Sequence, residues 1–186
     1  MRKPNARERI LETAAKLFFK KGYSEVGINE IINQAETAKA SFYQHFPSKE
    51  ALCEAWLSSV HDRSEQSRSD LLASDLSPEQ KLQTYFDQLE SFMRQSEFRG
   101  CPYSNTSAVT GSGCTGILEQ IRDHKESIRD FFRSVCLEKF GSEERANHVG
   151  DQLFILYSGA TTESQNLKEI WPVHEARDAA LSMIRG

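Results

Sequence analysis

Apolar residues recur along this chain at spacings of three and four, and no stretch alternates convincingly at two. That period belongs to amphipathic helices rather than strands. Ile10, Ala14, Leu17 and Phe18 mark the buried stripe of a first helix from about Asn5 to Lys21. Lys20 and Lys21 followed by Gly22 give its end, with cations on the last turn and Gly just beyond. Ile28, Ile31, Ile32 and Ala35 mark a short second helix, and Phe42 and Phe46 the inner face of a third, from Ala38 to about His45. Pro47 stops that helix, because its ring and missing N–H cannot continue the ladder.

Ser48 then caps a long fourth helix whose inner side carries Leu52, Ala55, Trp56, Val60, Leu71 and Leu72. Ser77-Pro78-Glu79-Gln80 opens a fifth as N-cap, Pro at the first position and Gln at the third. Residues 98–116 are rich in Gly and hydroxyls and read as loop, short helix from about Pro102 to Val109, and loop. A long helix from Ile117 to Phe140 follows, closed by Gly141, and Ser142-Glu143-Glu144 opens the next. Trp171-Pro172 reads as the break before a final helix, from about Val173 to Ile184. The pattern predicts an all-α chain. An N-terminal three-helix head of residues 1–47 bears a helix-turn-helix, and residues 48–186 form a helical-bundle body.

The turn between the second and third helices directs attention to the third. Its outward face carries Lys39, Ser41, Gln44 and His45, with Tyr43 beside them. A slim helix bearing small and hydrogen-bonding groups suits the major groove of DNA. The run Ser41-Phe42-Tyr43-x-His45-Phe46-x-Ser48-Lys49-Glu50-x-Leu52 resembles the core signature of the tetracycline-repressor (TetR) family of transcription regulators. The likeness extends back through Arg9-Ile10-Leu11-x-x-Ala14-x-x-Leu17-Phe18-x-x-x-Gly22-Tyr23 and Ile31-x-x-x-Ala35, over roughly the first third of the chain.

The resemblance implies that Tyr43 and Lys49 hold phosphates while Lys39, Ala40 and Gln44 face bases of double-stranded operator DNA. Phosphate contacts set register and base contacts set sequence. It also implies a homodimer through the last two helices, a small-molecule inducer held by the body, and repression as the usual mode. The sequence departs from the family at three places. Val26 and Gly27 stand where hydroxyl residues precede the second helix, Glu36 stands where the turn usually has Gly, and Ala38 stands at a usual Ser or Thr cap. Thr37 is the substitute cap and a further candidate at the DNA surface.

Charge agrees with that division. Residues 1–50 hold nine Lys/Arg against six Asp/Glu, and the remainder fourteen against twenty-one, although the whole chain is −4. The field near a contact surface counts for more than the total. Arg2 and Lys3 form a basic arm ahead of Pro4. No apolar run reaches the roughly 18 residues of a membrane span, and no signal-peptide pattern is visible. The expected compartment is therefore the cytoplasm, with Cys53, Cys101, Cys114 and Cys136 as reduced thiols.

In the body, Trp56, Tyr85, Phe86, Phe92, Cys101, Tyr103, Phe132 and Tyr157 are the candidates for lining an inducer pocket; core packing is the alternative reading of each aromatic. Arg99-Gly100-Cys101-Pro102 sets a thiol beside a cation at a helix start, both of which favour the thiolate. Some TetR-like sensors of electrophiles or oxidants have Cys in a similar Gly-Cys context, which makes Cys101 a candidate sensor; a small buried residue is the alternative. Cys114 is a resolving partner only if the two loops fold together. The five His are dispersed, and His148 with Asp151 is the nearest approach to a metal pair. Gly111-Ser112-Gly113 lacks the G-K-[ST] ending of a phosphate loop, and no G-x-S-x-G element is present. No metal, cofactor or catalytic residue is expected, and a non-enzyme is. A DNA-organising protein without inducer and a thiol-dependent enzyme stay open as alternatives.

Overall fold

The computed structural model describes residues 4–185, so the basic arm of Arg2 and Lys3 lies outside the described residues. Among these are nine helices and no strand. They are α1 (Ala6–Lys21), α2 (Ile28–Gln34), α3 (Lys39–His45), α4 (Lys49–Leu72), α5 (Pro78–Gln95), α6 (Pro102–Ser107), α7 (Thr115–Phe140), α8 (Glu143–Leu167) and α9 (Trp171–Arg185). None is long and apolar enough to cross a membrane. The chain divides into two units. One comprises residues up to Asp62 with Pro102–Asp123, the other Arg63–Cys101 with the residues from His124 onward.

In the first unit, α1 is fixed at both ends. Asn5 accepts from the Glu8 amide at 2.9 Å and Glu8 accepts from the Asn5 amide at 2.8 Å, while Gly22 takes φ +98°. Ile10, Ala14, Leu17 and Phe18 are buried on α1, which packs on α2 and α3. Phe18 meets Trp56 with ring centroids 5.4 Å apart. Helix α6 belongs here too, because the Tyr103 hydroxyl donates to the Leu57 carbonyl at 2.6 Å.

The α2–α3 turn is a Schellman closure. The Glu36 amide donates to Asn33 O at 3.3 Å and the Thr37 amide to Ile32 O at 3.2 Å, with Glu36 at φ +49°. This corrects the expectation that Thr37 caps α3. Its amide serves the end of α2, and Ala38 occupies the cap position without a side-chain bond. Ser48 does cap α4, accepting from the Ala51 amide at 3.1 Å.

The second unit is a bundle of α5, α8, α9 and the later parts of α4 and α7. Its core joins Leu82, Phe86 and Leu89 of α5 to Phe131, Phe132 and Val135 of α7, Leu153 of α8, and Val173, Ala180 and Ile184 of α9. Helices α7 and α8 approach closely at Gly150, where a Cβ would lie 2.8 Å from the Arg133 backbone. Asp151 follows, accepting from Arg129 at 2.7 and 2.6 Å and from Arg133 at 2.8 and 3.0 Å. Helix α8 ends at Lys168 in the left-handed region, φ +59°. Trp171-Pro172 therefore starts α9 rather than breaking α8. Pro at the second helical position has no ladder bond to lose.

Candidate nucleic-acid interface

Helix α3 presents two unlike faces. Phe42 is fully buried and Phe46, its C-cap, nearly so. Their opposite side leaves Lys39, Ala40, Tyr43 and Gln44 exposed, with Ser41, His45 and Thr37 half-buried at its edges. Tyr43 stays 43% exposed although its ring meets Phe42 edge-on at 5.3 Å. A large aromatic held at the surface by its inner neighbour is pre-ordered for a contact. Lys49 is placed differently from these. Its ammonium sits 4.5 Å from the Tyr23 ring centroid and donates to the Ser24 carbonyl at 3.4 Å. Burial lowers its pKa.

Arg9 was missed in the sequence as part of this surface. Its Nε donates to Ala35 O at 3.2 Å and its Nη2 to Glu36 O at 3.5 Å. A cation thus neutralises the carbonyl end of α2 at the place where Glu36 adopts its left-handed backbone. Arg9 stands in the sequence only as part of the TetR likeness, and periodicity alone reads it as solvent-facing.

The second unit separates the body candidates. Tyr85, Phe86, Phe132 and Tyr157 form one aromatic cluster. Tyr85 stacks on Tyr157 at 5.0 Å and meets Phe132 at 5.5 Å, and Phe86 meets Tyr157 at 5.9 Å. Trp56 and Tyr103 pack in the first unit instead, and Phe92 is 36% exposed on a shallow groove with Thr84, Asp87, Gln88, Ser91 and Gln95. Burial pushes the Tyr85 and Tyr157 phenols up, so both remain neutral donors.

Cys101 is half-buried at the edge of this unit, and the Lys125 ammonium donates toward its Sγ at 3.7 Å. The segment before it is tightly held. Glu97 and Phe98 have φ +51° and +57°, and Lys168 Nζ donates to Phe98 O at 3.1 Å. Gly100, φ +73°, has no room for a Cβ beside the Gln165 side chain. Cys114 lies in the first unit, within electrostatic range of Cys53 and Tyr23. Burial pushes the Cys53 thiol up to about 12 and the Cys136 thiol up to about 11, which leaves both unreactive at neutral pH.

Residues 10–56, which span the three head helices and the start of α4, match the family described as bacterial regulatory proteins, tetR family. The head is a tetR-family DNA-binding region. The chain is a helix-turn-helix DNA-binding transcriptional regulator. It is 25% identical to the HTH-type transcriptional repressor NemR of Escherichia coli K12 over 185 residues, 92% of this chain and 90% of that one. An uncharacterised HTH-type regulator in the lacX 3' region of Lactococcus lactis is 34% identical over 103 residues, 54% of this chain and 53% of the relative. Among solved structures, a TetR regulator from Legionella pneumophila superposes with a TM-score of 0.84 over 97% of both chains at 24% identity. The reduced form of E. coli NemR does so at 0.80, over 96% of this chain and 97% of that one, at 21% identity.

Against the TetR pattern, the three departures have local consequences. Gly27 caps α2 without a side-chain bond, Ala38 does the same for α3, and Glu36 carries the positive φ. Both short helices therefore present uncapped amides. Such N–H groups are natural donors to phosphate.

Proposed function

We propose that this TetR-family regulator is a homodimeric repressor. It holds a near-palindromic operator and leaves it when its body takes up a small-molecule or thiol-reactive inducer. The observation that carries the DNA side is the exposed row Lys39, Ala40, Tyr43 and Gln44 on a helix whose reverse is locked by Phe42 and Phe46. Lys39, Ala40 and Gln44 read bases; Tyr43 and Lys49 hold phosphates; Thr37, Ser41 and His45 flank them. Lys49 uses one donor on Ser24 and keeps two for a phosphate.

One head covers too few base pairs, so two heads related by a two-fold axis are required. Ile155, Leu167 and Trp171 supply outward apolar surface on α8 and α9, at 66%, 50% and 55% exposure. Ala160, Ala180 and Ile184 are buried within their own chain and support those helices from behind. On the inducer side, Cys101 with Lys125 at 3.7 Å supports a thiol-linked release. Similarity to NemR, named a repressor, supports repression.

The test is selection of bound DNA from a random pool, followed by release with a quinone or mild peroxide. One two-fold-symmetric sequence should be enriched. The oxidant should free wild-type protein with a mass adduct on Cys101, and should leave Cys101→Ser bound. An unenriched pool overturns the repressor reading, and equal release of the Ser variant overturns the thiol part.

A further inference from the structure

The most unusual side chain of the second unit is Arg68 on α4. It is 2% exposed and the largest of the fully buried residues. Its Nη1 donates to Ser64 Oγ at 2.7 Å, and its Nη2 to Glu65 Oε2 and Ser127 Oγ, each at 2.7 Å. Ser127 in turn donates to Glu65. Its Nε meets no acceptor in hydrogen-bond geometry. A buried donor left unmade destabilises the fold, and an apolar residue in that place would avoid it.

Three further facts bear on what the guanidinium is for. Its charge lies close to the Tyr85 phenol, whose hydroxyl is paired with that of Tyr157. Those two rings open the aromatic cluster with Phe131 and Phe132. The carboxylate that pairs with Arg68 is different in kind from the cation it holds, since Glu65 is 45% exposed and can leave for water. The chain therefore holds a dry, directional cation against aromatic rings with a wet, exchangeable anion.

We propose that this is the recognition point for a small aromatic carboxylate. The ligand's carboxylate displaces Glu65 and takes Arg68 Nε and Nη2 as a bidentate pair, and its ring lies against Tyr85 and Tyr157. No covalent step is involved. Ser64, Glu65 and Arg68 share α4, the helix that begins four residues after the end of α3. Exchange of Glu65 for a ligand thus acts on the element that follows the reading helix in the chain. The inference names a ligand class for the inducer reading above, and binding can be measured without DNA, so the two fail separately.

Benzoate is the probe and benzamide its neutral counterpart, titrated calorimetrically into full-length protein and checked by melting temperature. Benzoate should bind and raise the melting temperature, and benzamide should do neither. Glu65→Gln, which removes the competing carboxylate, should tighten benzoate about tenfold, equivalent to about 1.4 kcal/mol. Arg68→Met should abolish binding. Because Arg68→Met could fail to fold, Glu65→Gln is the deciding variant: a purely structural ion pair would give weaker or unchanged binding there. Equal binding of benzoate and benzamide, no tightening in Glu65→Gln, or binding retained by a folded Arg68→Met each overturns the proposal. Benzoate binding without operator release leaves it standing and removes the inducer reading.

Discussion

Single residues decide how well the reading head is held. Glu36 is the clearest case, because a non-glycine residue at φ +49° raises the folded state by about 1 kcal/mol or more relative to glycine. Arg9 offsets part of this by donating to the Ala35 and Glu36 carbonyls. Glu36→Gly should stabilise the head by about 0.5–1 kcal/mol, less than the full strain because glycine also loses more entropy on folding. It should also strengthen operator binding by removing an anion near phosphates. Thermal unfolding and fluorescence anisotropy at one fixed salt concentration check the two effects, and an unchanged melting temperature would deny the strain. Cys53 and Cys136 show the same scale in reverse, since burial alone makes them bystanders to any thiol reagent.

At the level of elements, fixed crossings matter more than intrinsic helix preference. Helix α8 can lie on α7 only because position 150 has no side chain; a Cβ there would sit 2.8 Å from Arg133 N and Cα. Backbone atoms of a helix cannot step aside, so the helices would have to part. Gly150→Ala should lower stability by about 2–3 kcal/mol, as overpacking does, despite the better helix propensity of Ala. Chemical denaturation reads this directly, and a stabilised variant would mean the crossing is slack. The end of α5 is governed similarly. Phe98 donates its amide to Met93 O at 2.8 Å and packs against the bundle core, which sets the course of the chain into Gly100 and Cys101.

For the whole molecule, charge links stability to acidity. Hydrogen bonds from Arg129 and Arg133 hold the Asp151 carboxyl well below the usual carboxylate range, and Lys139 lowers Glu79 likewise. A carboxyl with a lower pKa in the folded state binds fewer protons there than in the unfolded chain. Its contribution is therefore complete above the unfolded value, about 4, and disappears as the pH falls through the folded one. The melting temperature should fall from about pH 5 downward, and Asp151→Asn should flatten that fall while lowering the plateau at neutral pH. The effect should be modest, because Asp151 is 39% exposed and solvent screens the pair. Identical acid profiles for the two proteins would show that other carboxylates carry the transition.

The helical period, the caps at Ser48 and Ser77, the stop at Pro47 and the two-faced third helix were all legible in the sequence, because each is set by residues within one turn of another. Thr37 and Trp171-Pro172 were misjudged at helix boundaries, where one residue can serve either the helix that ends or the one that begins. What only the tertiary structure decided are relations between distant segments: Arg9 reaching Ala35, Arg68 reaching Ser127, Lys125 beside Cys101, and Trp56 separated from Tyr85 into different units. The physical reason is range. Local backbone chemistry names the helices, but whether a buried guanidinium or an aromatic ring packs, pairs or waits for a ligand depends on which residues the fold brings to it from elsewhere in the chain.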